Sequence, residues 1–189
     1  MIRNLLLAGA MSLAAIATPV VAQTNTGTMT ATDIGVSPMD AVDAPTYVKM
    51  AADSDMFEIK SSELALRKAQ RDDVKAFARQ MITDHTQTTK SLTAALNNAD
   101  RRIARPSMKM SAENDANLKL LQKAPKGGFD TLYLTQQVAA HQKAWSLHKG
   151  YATNGADAPL KQVAATAVPI IEQHYTHVKG MVPAAMSTN

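Results

Sequence analysis

From Pro45 to Gln70 the chain carries neither glycine nor a second proline, and the residues between favour helix. Proline suits a first helical position, where its missing N–H would have had no intrahelical partner, so a long helix opens at Ala44-Pro45. Arg71-Asp72-Asp73 then supplies a cap and an acidic first turn for a second run, from about Asp72 to Asn98. In that run Val74, Ala78, Met81, His85, Leu92 and Ala95 recur at three- and four-residue spacing. With almost no loop between them, these two helices must lie antiparallel and side by side.

The rest of the chain repeats the pattern. Asp100 to Lys109 is basic and contains Pro106, which suits an exposed crossing loop, and Ser111-Ala112-Glu113-Asn114 opens a short helix ending near Pro125 and Gly127-Gly128. A third long run spans about Phe129 to Thr153 and is stopped by Asn154-Gly155. Pro159 starts the fourth, with Leu160, Val163, Ala167, Ile170, His174, Val178 and Met181 on one stripe and a kink expected at Pro169. Composition agrees: 46% of the 189 residues are apolar but only 4% aromatic, and there are eight glycines, so alanine carries much of the apolar content. A sandwich or barrel would want β-branched residues, aromatics and turn glycines instead. The predicted fold is an all-α, up-down-up-down four-helix bundle with a short extra helix in the crossing between the second and third long helices.

The ends read differently. Arg3, the apolar stretch Leu5 to Ala17 and Thr18-Pro19-Val20-Val21-Ala22 form a secretory signal with a cut before Gln23. The stretch is shorter than the about 20 residues a bilayer span needs, so residues 1–22 are expected to be removed, leaving a periplasmic or secreted protein without a transmembrane anchor. Residues 23–43 are rich in Thr, Ala, Asp and Met without period and read as a flexible tether. The bundle is expected over residues 44–182 and a short tail over 183–189.

No cysteine is present, which removes disulfides, thiolate zinc sites, iron–sulfur clusters and a cysteine nucleophile together. The formal charge of +4 is too small to imply nucleic acid, and the basic run Arg101-Arg102-Ile103-Ala104-Arg105 has no interleaved aromatics. That run is a candidate contact for anionic envelope components. No glycine-rich phosphate loop and no Gly-x-Ser-x-Gly nucleophile motif occurs.

Stepping residues at about 100° around each helix puts four polar side chains inside apolar arcs, one per long helix: Glu58, His85, His141 and His174. Height agrees within each hairpin. Glu58 precedes Arg71 by 13 residues and His85 follows Asp72 by 13, while His141 lies 15 residues before Ala156 and His174 lies 18 after it. The second mismatch amounts to roughly 4.5 Å of rise. Three imidazoles and a carboxylate converging from four helices suit one zinc, iron, manganese or copper ion; the alternative is a buried polar network that pins helix register. Asp84 lies at the edge of the buried arc, placed to orient an imidazole or to face water, and His148 and His177 offer an extension of the set. A di-iron site would want Glu-x-x-His on two helices, but Ile82 and Ile171 stand three residues before His85 and His174, and the wheel turns Glu172 outward. With Glu58 as the one inward carboxylate, di-iron ferroxidase chemistry is disfavoured.

The stretches Tyr47-Val48-Lys49 through Glu58-Ile59, Glu63-Leu64-Ala65-Leu66, Asp73-Val74-Lys75-Ala76-Phe77-Ala78, Met81-Ile82-Thr83-Asp84-His85, Tyr133-Leu134 through His141-Gln142-Lys143 and Pro169 through His174 together resemble the bacterial family known as domain of unknown function 4142. The resemblance covers about Ala44 to Lys179. It implies a ferritin-like four-helix bundle in an exported protein of a kind often labelled outer-membrane, and no established activity. The expected function is therefore a stress-related envelope bundle of unassigned biochemical role whose Glu/His cluster binds one transition metal. The alternatives are a metal-dependent redox enzyme acting on peroxide or superoxide, and an interaction module using Arg101, Arg102 and Arg105.

Overall fold

A computed structural model describes residues 27–97 and 103–183, and every regular element among them is a helix. The expected export signal, Arg101, Arg102 and residues 184–189 lie outside the described residues. The one-turn helix α1 (Ala31–Ile34) is closed by a reciprocal Thr30–Asp33 capping box and by Gly35 at φ 85°, in the left-handed region glycine tolerates. The long helices are α2 (Ala44–Lys68), α3 (Asp72–Ala95), α5 (Lys126–Asn154) and α6 (Ala158–Met181). Asp43 and Asp157 cap α2 and α6 through their carboxylates, each with proline in the first turn behind it. The short α4 (Ala112–Lys123) is capped by Ser111. Gly127 and Gly128, expected to end α4, fall instead in the first turn of α5, because Pro125 stands at that helix's N-cap.

Around the bundle α2 packs on α3 and α5, and α6 packs on α3 and α5. Each of these neighbours is antiparallel. Tyr47 near the start of α2 meets His148 and Tyr151 late in α5, while Ser62 meets Tyr133 early in it. On the other side, Arg71 bonds the Met181 carbonyl and Asp84 bonds His174. The diagonal helices α3 and α5 therefore run the same way. In chain order the directions are up, down, down, up, not the expected up-down-up-down. The reason is the connection from Leu96 to Pro125, which is long enough to carry the chain back along the bundle. It does so with α4 laid over the α2/α5 seam, where Leu118 and Leu121 are buried. One long crossover of this kind is the topology of ferritin-like bundles.

Two apolar clusters fill the interior of the bundle at its two ends, and a third lies beneath the N-terminal segment. Phe57, Phe77, Met81, Phe129, Tyr133 and Leu134 pack toward the α2–α3 turn, and Tyr47, Val48, Leu92, Leu147, Tyr151 and Leu160 pack toward the other end. Burial of each large side chain contributes roughly 1.5–3 kcal/mol, enough to hold a polar layer between the two clusters. That layer holds Glu58, His85, His141 and His174. Among the described residues no helix is long and apolar enough to cross a membrane.

The described part of the expected tether, residues 27–43, is packed rather than free. Ile34 is fully buried against Trp145, Val168, Ile171 and Tyr175, and its carbonyl accepts from Gln142 Nε2 (2.8 Å) and Tyr175 Oη (3.0 Å). The Met39 N–H donates to the Ser146 carbonyl at 2.9 Å. This strap also reverses the expectation for Glu172. Its carboxylate is buried beneath the strap, accepting from Trp145 Nε1 (2.9 Å) and the Thr28 N–H (2.8 Å), because a helical wheel does not include chain that packs on the bundle from outside.

Gly150 is where strap and α5 come closest: a β-carbon there would stand 2.0 Å from the Met39 carbonyl oxygen. Alanine normally gains about 1 kcal/mol over glycine inside a helix. Gly150→Ala is expected to do the opposite, lowering the melting temperature and accelerating proteolytic cleavage within residues 27–43. Stabilisation with unchanged cleavage would contradict the packed strap.

Candidate metal centre

Glu58 from α2, His85 from α3, His141 from α5 and His174 from α6 meet in the polar layer, with exposures of 1%, 3%, 0% and 0%. The imidazole centroids form a nearly equilateral triangle of 5.8, 5.6 and 5.5 Å. One ring nitrogen from each histidine lies within 4.8 Å of the other two.

The hydrogen bonds fix which nitrogens these are. His141 Nδ1 lies 2.8 Å from the Gln137 carbonyl, which can only accept, so Nδ1 carries the proton and Nε2 keeps a lone pair. His174 Nε2 lies 2.8 Å from Asp84 Oδ2, and His85 Nδ1 lies 2.8 Å from Asp55 Oδ1. A carboxylate accepts both protons, which turns His174 Nδ1 and His85 Nε2 inward. Asp55 is itself held by the Thr88 and Thr89 hydroxyls at 2.9 and 3.0 Å. The inward atoms, His85 Nε2, His141 Nε2 and His174 Nδ1, have no hydrogen-bond partner, and neither do the two Glu58 oxygens. A buried polar atom left unpaired costs about 1–3 kcal/mol. Three such nitrogens within 4.8 Å of one another are a liability that a bound cation would turn into coordination, and the Glu58 carboxylate stands beside them with Oε1 3.7 Å from His141 Nδ1.

Charge is strained in the same way. Burial pushes the Glu58 carboxyl up to about 7, against the pull of His85. It drives His141 well below the usual imidazole range, helped by the charge of His85 and His174. His174 is pushed down to about 4, chiefly by burial and His85, with Asp84 opposing. His85 alone rises, because the Asp55 hydrogen bond and charge, with Glu58, outweigh its burial. A metal ligand must be a neutral imidazole, which is the form this interior favours at His141 and His174.

The sequence placed Asp84 beside an imidazole, and the structure shows which one: His174 across the α3/α6 seam, not its chain neighbour His85. His148 and His177 do not join the cluster. His148 lies two helical turns from His141, about 10 Å along the axis, and its Nδ1 engages the Tyr47 hydroxyl at 3.1 Å. His177 is exposed, its ring edge-on to Phe77. Asp55 is the residue sequence reasoning passed over. It sits three positions before Glu58, about 60° away on the same wheel, so an Asp-x-x-Glu pair on one face was there to be read. Two inward carboxylates therefore replace the expected one, although Asp55 is occupied with His85.

Two outcomes follow for the metal-free protein. His148 is held near 4 by burial while the unfolded chain titrates near 6.5. The folded state thus binds fewer protons between those values, and stability falls as pH drops from 6.5 toward 4, by up to about 3 kcal/mol from this residue. Urea midpoints at pH 7 and pH 4.5 should differ less for His148→Gln than for the parent. Glu58 has the opposite sign: its folded value near 7 lies above the unfolded one, so stability is lost as pH rises from about 4.5 to 7. Glu58→Gln should stabilise the chelator-treated protein at pH 8 by on the order of 2 kcal/mol. An unchanged urea midpoint at that pH would show that Glu58 is not charged and buried there.

No curated protein and no solved structure matches the chain. A family model does match, over residues 29–181, from near the start of the strap to the last turn of α6, and its description assigns no activity. The chain belongs to the family described as domain of unknown function (DUF4142).

Proposed function

We propose that this protein binds a single divalent transition-metal ion through His85 Nε2, His141 Nε2, His174 Nδ1 and a Glu58 oxygen, and that it does so after export to the cell envelope. The observation that carries the proposal is the division of labour on each imidazole. One nitrogen is tied down by Asp55, Asp84 or the Gln137 carbonyl, and the other is unpartnered and turned to a common point. This is the outer arrangement that orients histidine ligands and raises their basicity. A network serving only to pin helix register would spend those nitrogens on one another, yet none is within hydrogen-bond reach of another.

The donor set narrows the ion. Three imidazoles and a carboxylate suit zinc, iron, manganese or copper(II), and the absence of thiolates disfavours copper(I). An ion at about 2.0–2.1 Å from each nitrogen needs donors about 3.4 Å apart. The three nitrogens, now within 4.8 Å of one another, reach that by small side-chain rotations; Glu58, whose Oε1 lies 3.7 Å from His141 Nδ1, swings further to join them. Export rests on residues 1–22, whose charged, apolar and small-residue segments have the order of a cleaved signal.

The test is elemental analysis with calorimetry on chelator-stripped protein. One equivalent of metal should bind, and His85→Ala or His141→Ala should abolish it. At an ion concentration a hundred times Kd, linkage adds about 2.7 kcal/mol, which for a domain of this size raises Tm by roughly 5–10 °C. Stripped protein that takes up none of the four ions, with a melting curve unmoved by any of them, would reduce the cluster to structure.

A further inference from the structure

The four donors are sealed in the interior, so an ion must reach them through protein. A cavity of about 190 Å³ opens between α3 and α6 and ends one residue short of the cluster. Its mouth is formed by the exposed Gln87, Ser91 and Thr166, and its floor by the buried Asp55 and His148. Water occupies about 30 Å³ per molecule in the liquid, so the space suits a cation that keeps part of its hydration shell. The lining is suited to one. Thr88, Ser91 and Thr166 offer hydroxyl oxygens, Gln87 an amide oxygen, and no lysine or arginine lines the cavity. The one carboxylate at the bottom is Asp55, and the atom that it holds is His85 Nδ1, on the ring whose other nitrogen faces the cluster.

We propose that the cavity between α3 and α6 is the loading port of the buried centre: a divalent cation enters between Ser91 and Thr166, is drawn to Asp55, and passes inward as the His85 ring turns. This rests on the metal-binding role proposed above. The competing way in is the seam at Asp84, whose side chain is 33% exposed where it holds His174. Neither Asp84 nor His174 lines the cavity between α3 and α6. Asp84 also lies a turn away from the cavity, and its carboxylate is engaged with the imidazole it would have to release.

The port makes loading rate depend on charge at its mouth, while the bound state depends on it little. Thr166 is exposed and outside the ligand set, so it can be changed without touching the centre. Cobalt(II) loading of chelator-stripped protein, followed by its visible absorption in stopped flow at low ionic strength, should be about three- to fivefold slower in Thr166→Lys and about as much faster in Thr166→Glu. Thr166→Trp, which covers the mouth, should slow loading in any salt, and all three should end at one equivalent. The same charge pair at Gln80, one turn before Asp84 on α3, should leave the rate unchanged. Rates indifferent to Thr166 but responsive to Gln80 would overturn the port and place the route at Asp84. No cobalt uptake by the parent protein would overturn the metal-binding role itself.

Discussion

Each of the three imidazoles is gripped on its outward side and unpaired on its inward side, and the architecture of the interior follows from that. An unpartnered nitrogen in a dry core is tolerated only where the surrounding packing is strong enough to impose it. Here the imposing parts are the two apolar clusters above and below, and the acids Asp55 and Asp84 with the Gln137 carbonyl behind the rings. Remove the grips and each ring is free to turn and bond elsewhere; remove the clusters and water satisfies the nitrogens. The cluster is thus less a set of four residues than the inner surface of a two-layered arrangement, in which the outer layer decides the tautomers.

The four inner residues were legible in the sequence because helical periodicity and hairpin length are both local. Stepping at a fixed angle finds a polar residue in an apolar arc, and counting back from a tight turn finds its height. His141 and His174 appeared three residues out of level by that count and still meet with ring centroids 5.5 Å apart, a gap side chains of this length readily close. The outer layer was harder. Asp55 shares an arc with Glu58, but nothing in the pattern distinguishes a carboxylate that grips a neighbouring imidazole from one at the edge of solvent. Asp84 was seen, yet its partner depends on which helix lies across the seam, and that is set by the topology.

Topology and the strap are where local rules ran out. A short loop dictates antiparallel neighbours, whereas a connection as long as that from Leu96 to Pro125 permits either a neighbouring or a diagonal placement of α5, and α4 takes it along the bundle to the diagonal. The strap lacks period in its composition, which alone predicts no structure. It is ordered by particular contacts, the burial of Ile34 and the close pass at Gly150, which no average over composition contains. Glu172, capped by Thr28 and Trp145, is buried for the same reason, although the helical wheel alone turns it outward. The match of the family model from residue 29 onward treats the strap as part of the same unit as the helices.

One donor comes from each long helix, two from either hairpin. Neither half of the molecule on its own presents more than two, so an ion cannot be captured by a partly assembled chain with anything like the grip of the finished one. Occupancy would therefore work as a proof of assembly. A cation bound there would also be selected by whatever ions surround the protein at the moment its two halves dock, so the compartment where folding finishes would choose the metal.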